Sequence, residues 1–357
     1  MCSFLARRLA FDARTKCNHK RVAVRRATPL ARPHTPARVV MLGLARALVA
    51  TRGGTAIARA RLAPRPVAPA RLGSRARLAT RIDVIDDAPA FATLVQGASR
   101  GIGLELVRQM LERDADVFRG RARGGIVVAT CRDPEGSDGL RALRARHGAR
   151  LVTARVDVEE EETMSKAVEV VMREVGRLDF MANVSAVLSD GKMRPETSIA
   201  RTEAANMTRA YAVNAVGPTM MMKHFSPLML KTAEKNAMEG GGGHVPVIAN
   251  WSARVSSVGD NQLGGWHSYR ASKTALNQLT RNAAIEFARK KHPIIAMCVH
   301  PGTVDTKLSE PFKKNVPADK LFTPEYAVTR LLEVIGDANL EQSSGNLFDY
   351  AGEKIQW

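Results

Sequence analysis

From Phe91 onward, short apolar runs alternate with longer segments whose apolar residues recur at helical spacing. Phe91–Val95, Ile126–Thr130, Leu151–Val156, Phe180–Val184, His244–Ile248 and Pro293–Val299 are runs of this short kind. They are too brief for helices and apolar without alternation, so they read as strands buried on both faces. Between them, Ile102–Glu112 spaces its apolar residues like a helix face, and the acidic stretch Glu159–Val175 favours a helix. Strands alternating with helices predict an α/β fold, a doubly wound parallel sheet with helices on both faces. Composition does not shift again after residue 81, so 81–357 reads as a single domain. Two connections look irregular: Asp114–Gly125 lengthens the link between the first helix and second strand, and Glu239–Gly243 carries four glycines. No helix follows those glycines, which makes them a flexible joint and not a phosphate cradle.

Charge first points elsewhere. The 357 residues carry a formal net charge of +19, a value that suits a nucleic-acid or membrane binder. Its distribution removes that reading. Residues 1–80 hold 18 Lys plus Arg against one acid, Asp12, which leaves only +2 for residues 81–357. The basicity belongs to a leader rich in Arg, Ala, Leu and Pro, and the domain itself is not expected to bind nucleic acid. An Arg-rich, acid-poor start reads as a disordered organellar transit peptide, the alternative being a disordered basic tail that binds nucleic acid without specificity. Within it, Met41–Ala60 reads as a short basic amphipathic helix, with a presequence that starts afresh at Met41. Serine is scarce there (Ser3 and Ser74), which favours the mitochondrion over the chloroplast. No window offers the ~18 uninterrupted apolar residues of a membrane span. Cys2, Cys17, Cys131 and Cys298 show no metal-ligand spacing, so reduced thiols and no metal are expected, with Cys298 in the core.

Two motifs carry chemistry. Leu94–Glu105 (LVQGASRGIGLE) reads strand, glycine turn, helix. Glycines at 97, 101 and 103 admit a pyrophosphate close to the backbone, at a helix N-terminus whose free N–H groups and dipole favour an anion. The second motif, YRASK, places Tyr269 and Lys273 four residues apart, on one face of a helix. An unperturbed phenol titrates near pH 10, and a neighbouring ammonium is expected to bring it down towards the working range. A phenol so placed can protonate a carbonyl oxygen while hydride reaches the carbon.

Together these segments resemble the short-chain dehydrogenase/reductase family, whose fold is a Rossmann-type domain and whose members move hydride between NAD(P) and a carbonyl or alcohol. The resemblance runs along the whole of 81–357. The glycine turn is similar to the family's TGxxxGIG, with Gln96 in place of Thr, and implies cofactor contacts from Gly97, Ser99, Arg100, Gly101, Ile102 and Gly103. Asp157 and Val158 fall where the family binds the adenine. Asn183–Ala186 stands where it usually has NNAG, with only Asn183 retained. Pro301, Gly302, Val304 and Thr306 in HPGTVDT match the turn that meets the nicotinamide carboxamide and phosphates.

The resemblance assigns catalysis to Tyr269, Lys273 and Asn214, with a serine to bind the substrate oxygen. The usual serine pair reads Ser252–Ala253 here, so Ser252 is the first candidate and Ser256, 13 residues before Tyr269, the challenger. Arg100 and Arg132 favour NADP(H), since guanidinium pairs well with a 2′-phosphate. Asp133 keeps NAD(H) open. His300 reads as a strand-end packing residue, and Lys307–Phe322 as a mobile flap over the site, whose Lys313, Lys314 and Lys320 are solvated loop residues.

More narrowly, SARVSSVGDNQLGGWHSYRASKTALN and the ending GNLFDYAGEKIQW are similar to the C-factor-like branch, known for intercellular signalling. The leading expectation is an NADP-dependent carbonyl reductase or alcohol dehydrogenase acting on a small molecule. The alternative is a cofactor-binding sensor with little turnover. A homo-oligomer, if formed, would pair through the helices around Asn214 and Tyr269.

Overall fold

The computed structural model describes residues 91–112, 118, 124–191, 193–238 and 244–357. The basic leader, most of the 114–125 connection and the glycines of 239–243 lie outside the described residues. Strands β1 (Ala92–Gln96), β2 (Ile126–Cys131), β3 (Leu151–Arg155), β4 (Phe180–Asn183), β5 (Val247–Trp251) and β6 (Ile295–His300) form the parallel body of the sheet. A two-stranded pair, β7 (Thr303–Val304) with β8 (Leu321–Phe322), stands apart. Near the C-terminus β9 (Leu347–Asp349) adds in parallel to β6, and β10 (Lys354–Ile355) closes that edge antiparallel. The order β10-β9-β6-β5-β4-β1-β2-β3 makes an eight-stranded sheet with a mostly parallel, doubly wound topology.

The strands are apolar without alternation because both faces are covered. Side chains still alternate between them: Phe91 and Val95 enter one core, Ala92 and Leu94 the other. The first core is closed by helices α1 (Gly101–Glu112), α2 (Asp138–His147) and α7 (Pro324–Gly336), which bury Leu106, Leu140 and Leu331. The second is closed by α3 (Glu161–Glu174), α5 (Gly217–Met238) and α6 (His267–Arg289), which bury Met164, Phe225 and Phe287. A short helix α4 (Ala204–Tyr211) runs through a π-turn, Ala212–Val216, into α5.

One expected strand is displaced. His244–Ile248 was the apolar run, yet β5 spans Val247–Trp251 and takes in Asn250. Asn250 has 0% exposure, and its amide donates to Thr280 Oγ1 at 2.8 Å while its Oδ1 accepts from Asn183 at 2.8 Å. A polar residue satisfied by two neighbouring elements occupies a core strand at no hydrogen-bonding loss. Below the sheet, Asp179 (fully buried) receives bonds from Ala92 N and the Arg177 guanidinium, and Asn236 completes the cluster. That network pins the start of β4 to β1 and α5.

Cys131 and Cys298 are free and buried, and Cys298 is fully enclosed, as expected of a core thiol. Among the described residues no helix is long and apolar enough to cross a membrane.

Candidate active site

The strand order reverses at β1, which lies between β2 and β4. In open α/β sheets such a switch point opens a crevice at the carboxyl ends of the strands, where ligands bind. Both motifs meet that edge of the sheet.

The glycine turn connects β1 to α1 and is shaped by close approach. A Cβ on Gly103 would lie 2.1 Å from the Gly97 carbonyl oxygen, and one on Gly97 would lie 2.7 Å from Ser185 N. Only hydrogen fits at either position. Gln96, at the end of β1, accepts from Ser185 Oγ at 2.7 Å, so the residue that departs from the usual Thr ties the turn to the loop after β4. Gly101 faces the turn after β6: a Cβ there would touch Thr306 Cγ2 at 3.4 Å. Gly97–Gly103 and Val304–Thr306 are thus brought together, as a cradle bare enough for a dinucleotide to approach the backbone. The residues fit the cofactor that the motif implies.

The remaining cofactor candidates divide. Arg100 and Arg132 are exposed at the turn and just beyond β2, and among the described residues neither has an ion-pair partner. Asp133 is occupied locally, accepting from Gly136 N at 2.9 Å. Ser99 offers its carbonyl to Ser137 Oγ at 3.0 Å, which joins the turn to the cap of α2. Asp157 caps its own loop through Glu159 N, and Val158 packs against the π-turn side of the molecule with Val187, Met193 and Val213. Asn183 is buried, donates to Asn250, and leaves its own Oδ1 without a partner.

At the catalytic end, Tyr269 and Lys273 lie on the first turns of α6, 8% and 1% exposed respectively. Lys273 Nζ donates to the Trp251 carbonyl, the last of β5, at 2.6 Å. Burial pulls the Lys273 ammonium down to about 8 and lifts the Tyr269 phenol above its ordinary range. The expected lowering of the phenol by the ammonium is therefore not what this geometry gives. Desolvation dominates and keeps the phenol protonated at neutral pH.

Asn214 is fully buried in the π-turn, an irregularity common where helices carry function. Its Oδ1 accepts from Val187 N at 2.8 Å, and its Nδ2 donates to Val187 O at 2.9 Å and Ser272 Oγ at 3.0 Å. Ser272 in turn donates to the Tyr269 carbonyl, so Asn214 reaches the first turn of α6 through one hydroxyl.

The two candidate serines share one network. Ser252 Oγ donates to Asn277 Oδ1 at 2.7 Å, the Asn277 amide donates to Ser256 Oγ at 2.7 Å, and Ser256 Oγ donates to Ala253 O. Each hydroxyl has a single proton to give. Both protons are already committed, and among the described residues neither serine bonds Tyr269.

His300 ends β6 with a partly exposed edge, but its Nδ1 is buried and unpartnered. Burial, with the nearby Arg254 charge, draws its pKa down to about 4. The segment after Thr306 is anchored at its base by the β7–β8 pair and by Asp305 N donating to Phe322 O at 2.8 Å. Lys313 pairs there with Glu310 and Asp305, while Lys314 and Lys320 are exposed, as solvated loop residues should be.

Three residues near Tyr269 were not legible in the sequence. Glu196, 4% exposed, accepts Ser268 N at 3.3 Å and the Ser268 hydroxyl, and its carbonyl takes Trp266 N at 2.6 Å. Trp266 caps α6 with φ 49° and ψ 43°. Its ring lies 4.9 Å from Phe312 and 6.2 Å from Tyr269.

A family model described as short chain dehydrogenase matches residues 92–317, so the chain belongs to the short-chain dehydrogenase/reductase family, a family of NAD(P)-dependent oxidoreductases. Within it, the chain is 27% identical over 252 residues to a benzil reductase ((S)-benzoin forming) of Saccharomyces cerevisiae, covering 67% of this chain and 84% of that one. It is 28% identical over 153 residues to the C-signal protein of Myxococcus xanthus, covering 43% of this chain and 80% of that one. Among solved structures, an NADPH-bound carbonyl reductase from chicken fatty liver superposes with a TM-score of 0.63 at 26% identity, covering 74% and 98% of the two chains.

Proposed function

We propose that this chain is an NADPH-dependent reductase of small carbonyl compounds, or the reverse alcohol dehydrogenase. The observation that carries the reading is the placing of buried Tyr269 and Lys273 on one helix turn at the sheet edge that also holds the glycine cradle. When bound, the nicotinamide supplies the hydride. Tyr269 gives its phenolic proton to the carbonyl oxygen, and Lys273, fixed on the Trp251 carbonyl, places a cationic group behind it. Asn214 holds the turn of α6 from which Tyr269 projects. Ser252 is the hydroxyl assigned to the substrate oxygen, and it acts as a donor only by releasing Asn277.

Exposed Arg100 and Arg132, without ion-pair partners among the described residues, support NADP(H) over NAD(H), because each can take a 2′-phosphate oxygen. Gly97, Ser99, Gly101, Ile102, Gly103, Asp157, Val158, Asn183, Pro301, Gly302, Val304 and Thr306 are the remaining proposed cofactor contacts. NADPH-bound and benzil-reducing relatives are consistent with this assignment. Residues 1–80 are proposed as an organellar leader, and a fluorescent reporter carrying them that stays cytosolic refutes that part.

The test of the reaction is NADPH and NADH consumption against a panel of aldehydes, ketones and quinones, with Tyr269→Phe in parallel. Tight NADPH binding with no turnover across the panel would establish the sensor reading instead.

A further inference from the structure

Trp266 is an unusual residue for its conformation. A bulky side chain in the left-handed region is a genuine outlier, held only where the surroundings over-determine it. Here the surroundings are Glu196. Its carbonyl takes the N–H of Trp266 and its carboxylate takes the N–H and hydroxyl of Ser268, so one buried residue fixes the chain on both sides of the turn. At this cap the indole meets two other rings. It stands tilted at 55° to Phe312 and edge-on, at 77°, to Tyr269.

Those three rings differ in burial. Tyr269 is buried, whereas Trp266 and Phe312 are each only partly buried. An aromatic cluster serving stability alone would enclose its rings. This one leaves two of its rings only partly covered beside the proposed proton donor. Phe312 belongs to the segment whose base is fixed by β7 and β8, so the second ring is presented by an anchored element.

We propose that Trp266 and Phe312 form an aromatic wall that selects carbonyl substrates with an aryl group next to the carbonyl. This rests on the reductase reading of Tyr269. Stacking or edge-on contact with such rings adds selectivity beyond apolar burial, about three- to tenfold for one well-formed ring pair. A saturated ring of the same bulk gains the burial and forgoes that increment.

The test measures kcat/KM of the full chain with NADPH for 1-phenyl-1,2-propanedione, its 1-cyclohexyl analogue and 2,3-pentanedione. The phenyl compound should lead the cyclohexyl one by about three- to tenfold. Trp266→Gly, which tolerates the left-handed backbone, and Phe312→Leu, which keeps apolar bulk, should each erase most of that ratio. Turnover of all three diketones without a phenyl preference overturns the wall and leaves the reductase reading standing. A ratio unchanged in both variants does the same. Absence of NADPH consumption with every carbonyl tested overturns the reductase reading and the wall with it.

Discussion

Gly103→Ala separates two opposed expectations. Gly103 lies inside α1, where helix propensity alone says alanine should stabilise by about 1 kcal/mol. The structure says the reverse. The new methyl would stand 2.1 Å from the Gly97 carbonyl oxygen and 3.2 Å from the Ala98 Cα. Both neighbours are backbone of the turn, so no side chain can rotate away. Relief requires moving the start of α1 by roughly 1 Å or more, since ordinary contact is about 3.5 Å. Overpacking of this kind costs about 1–3 kcal/mol. The same displacement takes the helix N-terminus away from the phosphates, and a 1 Å misplacement at a positioned site costs on the order of a hundredfold. Urea unfolding should therefore show a loss of about 2 kcal/mol, and NADPH should bind more weakly, with kcat/KM lowered on the order of a hundredfold. Gly148→Ala is the control. Unlike Gly103, that glycine has positive φ (57°) and nothing within 4 Å, so alanine there should cost about 1–3 kcal/mol of stability through backbone strain and leave NADPH binding unaltered. A Gly103→Ala protein as stable as the parent, with the parent's NADPH affinity, refutes the reasoning.

Four shorter predictions follow from the same geometry. Tyr269→Phe should lower kcat by about 10²- to 10⁴-fold while NADPH still binds, and full turnover in that variant excludes Tyr269 as the proton donor. Arg132→Ala should weaken NADPH binding by about tenfold or more and NADH binding little, read by fluorescence titration of both. Asp179→Ala strands the Arg177 guanidinium, which is only 8% exposed, and should cost about 3–5 kcal/mol by urea unfolding. The fourth concerns acid. His300 is held near 4 in the folded chain against 6.5 as the ordinary value, so the unfolded chain binds the extra proton. Its contribution is fully present above pH 6.5 and is lost as pH falls towards 4, by up to about 3 kcal/mol. His300→Phe should flatten stability between those two values, and an unchanged slope would show that the ring is not buried neutral.

How far the sequence reaches depends on which forces act locally. β1 and β2 fall on the apolar runs, because interior strands covered on both faces are mostly apolar, and β3 starts on its run although, at the sheet edge, it ends on exposed Arg155. The offset of β5 arises where burial is reconciled by partners far along the chain: Asn250 is satisfied by Asn183 and Thr280, neither visible to a local window. β9 and β10 are too short to show periodicity, and they exist because β6 offers them an edge.

The same division runs through the site. Tyr269 and Lys273 are legible because one helix turn sets their relation, and the glycine turn because its spacing is local. Glu196 is not, since its bond to Ser268 spans 72 residues. Protonation is the least legible of all. Spacing alone places an ammonium near a phenol and predicts that the phenol titrates early. The folded chain buries both, and the loss of water acts on each more strongly than they act on each other. Desolvation penalises whichever form is charged, so the same burial that draws Lys273 down towards 8 holds the proton on Tyr269. A reductase needs its acid protonated before the carbonyl arrives, and a phenol meets that need at neutral pH with or without burial. The lysine's proposed part lies in the transfer itself, where Tyr269 exchanges its proton and a nearby cation eases formation of the phenolate in whichever direction the reaction runs. Lys273→Met should accordingly lower kcat/KM for carbonyl reduction and for alcohol oxidation by a common factor at one pH, because both directions share one transition state, and a variant that keeps the parent's kcat/KM in both would refute that part.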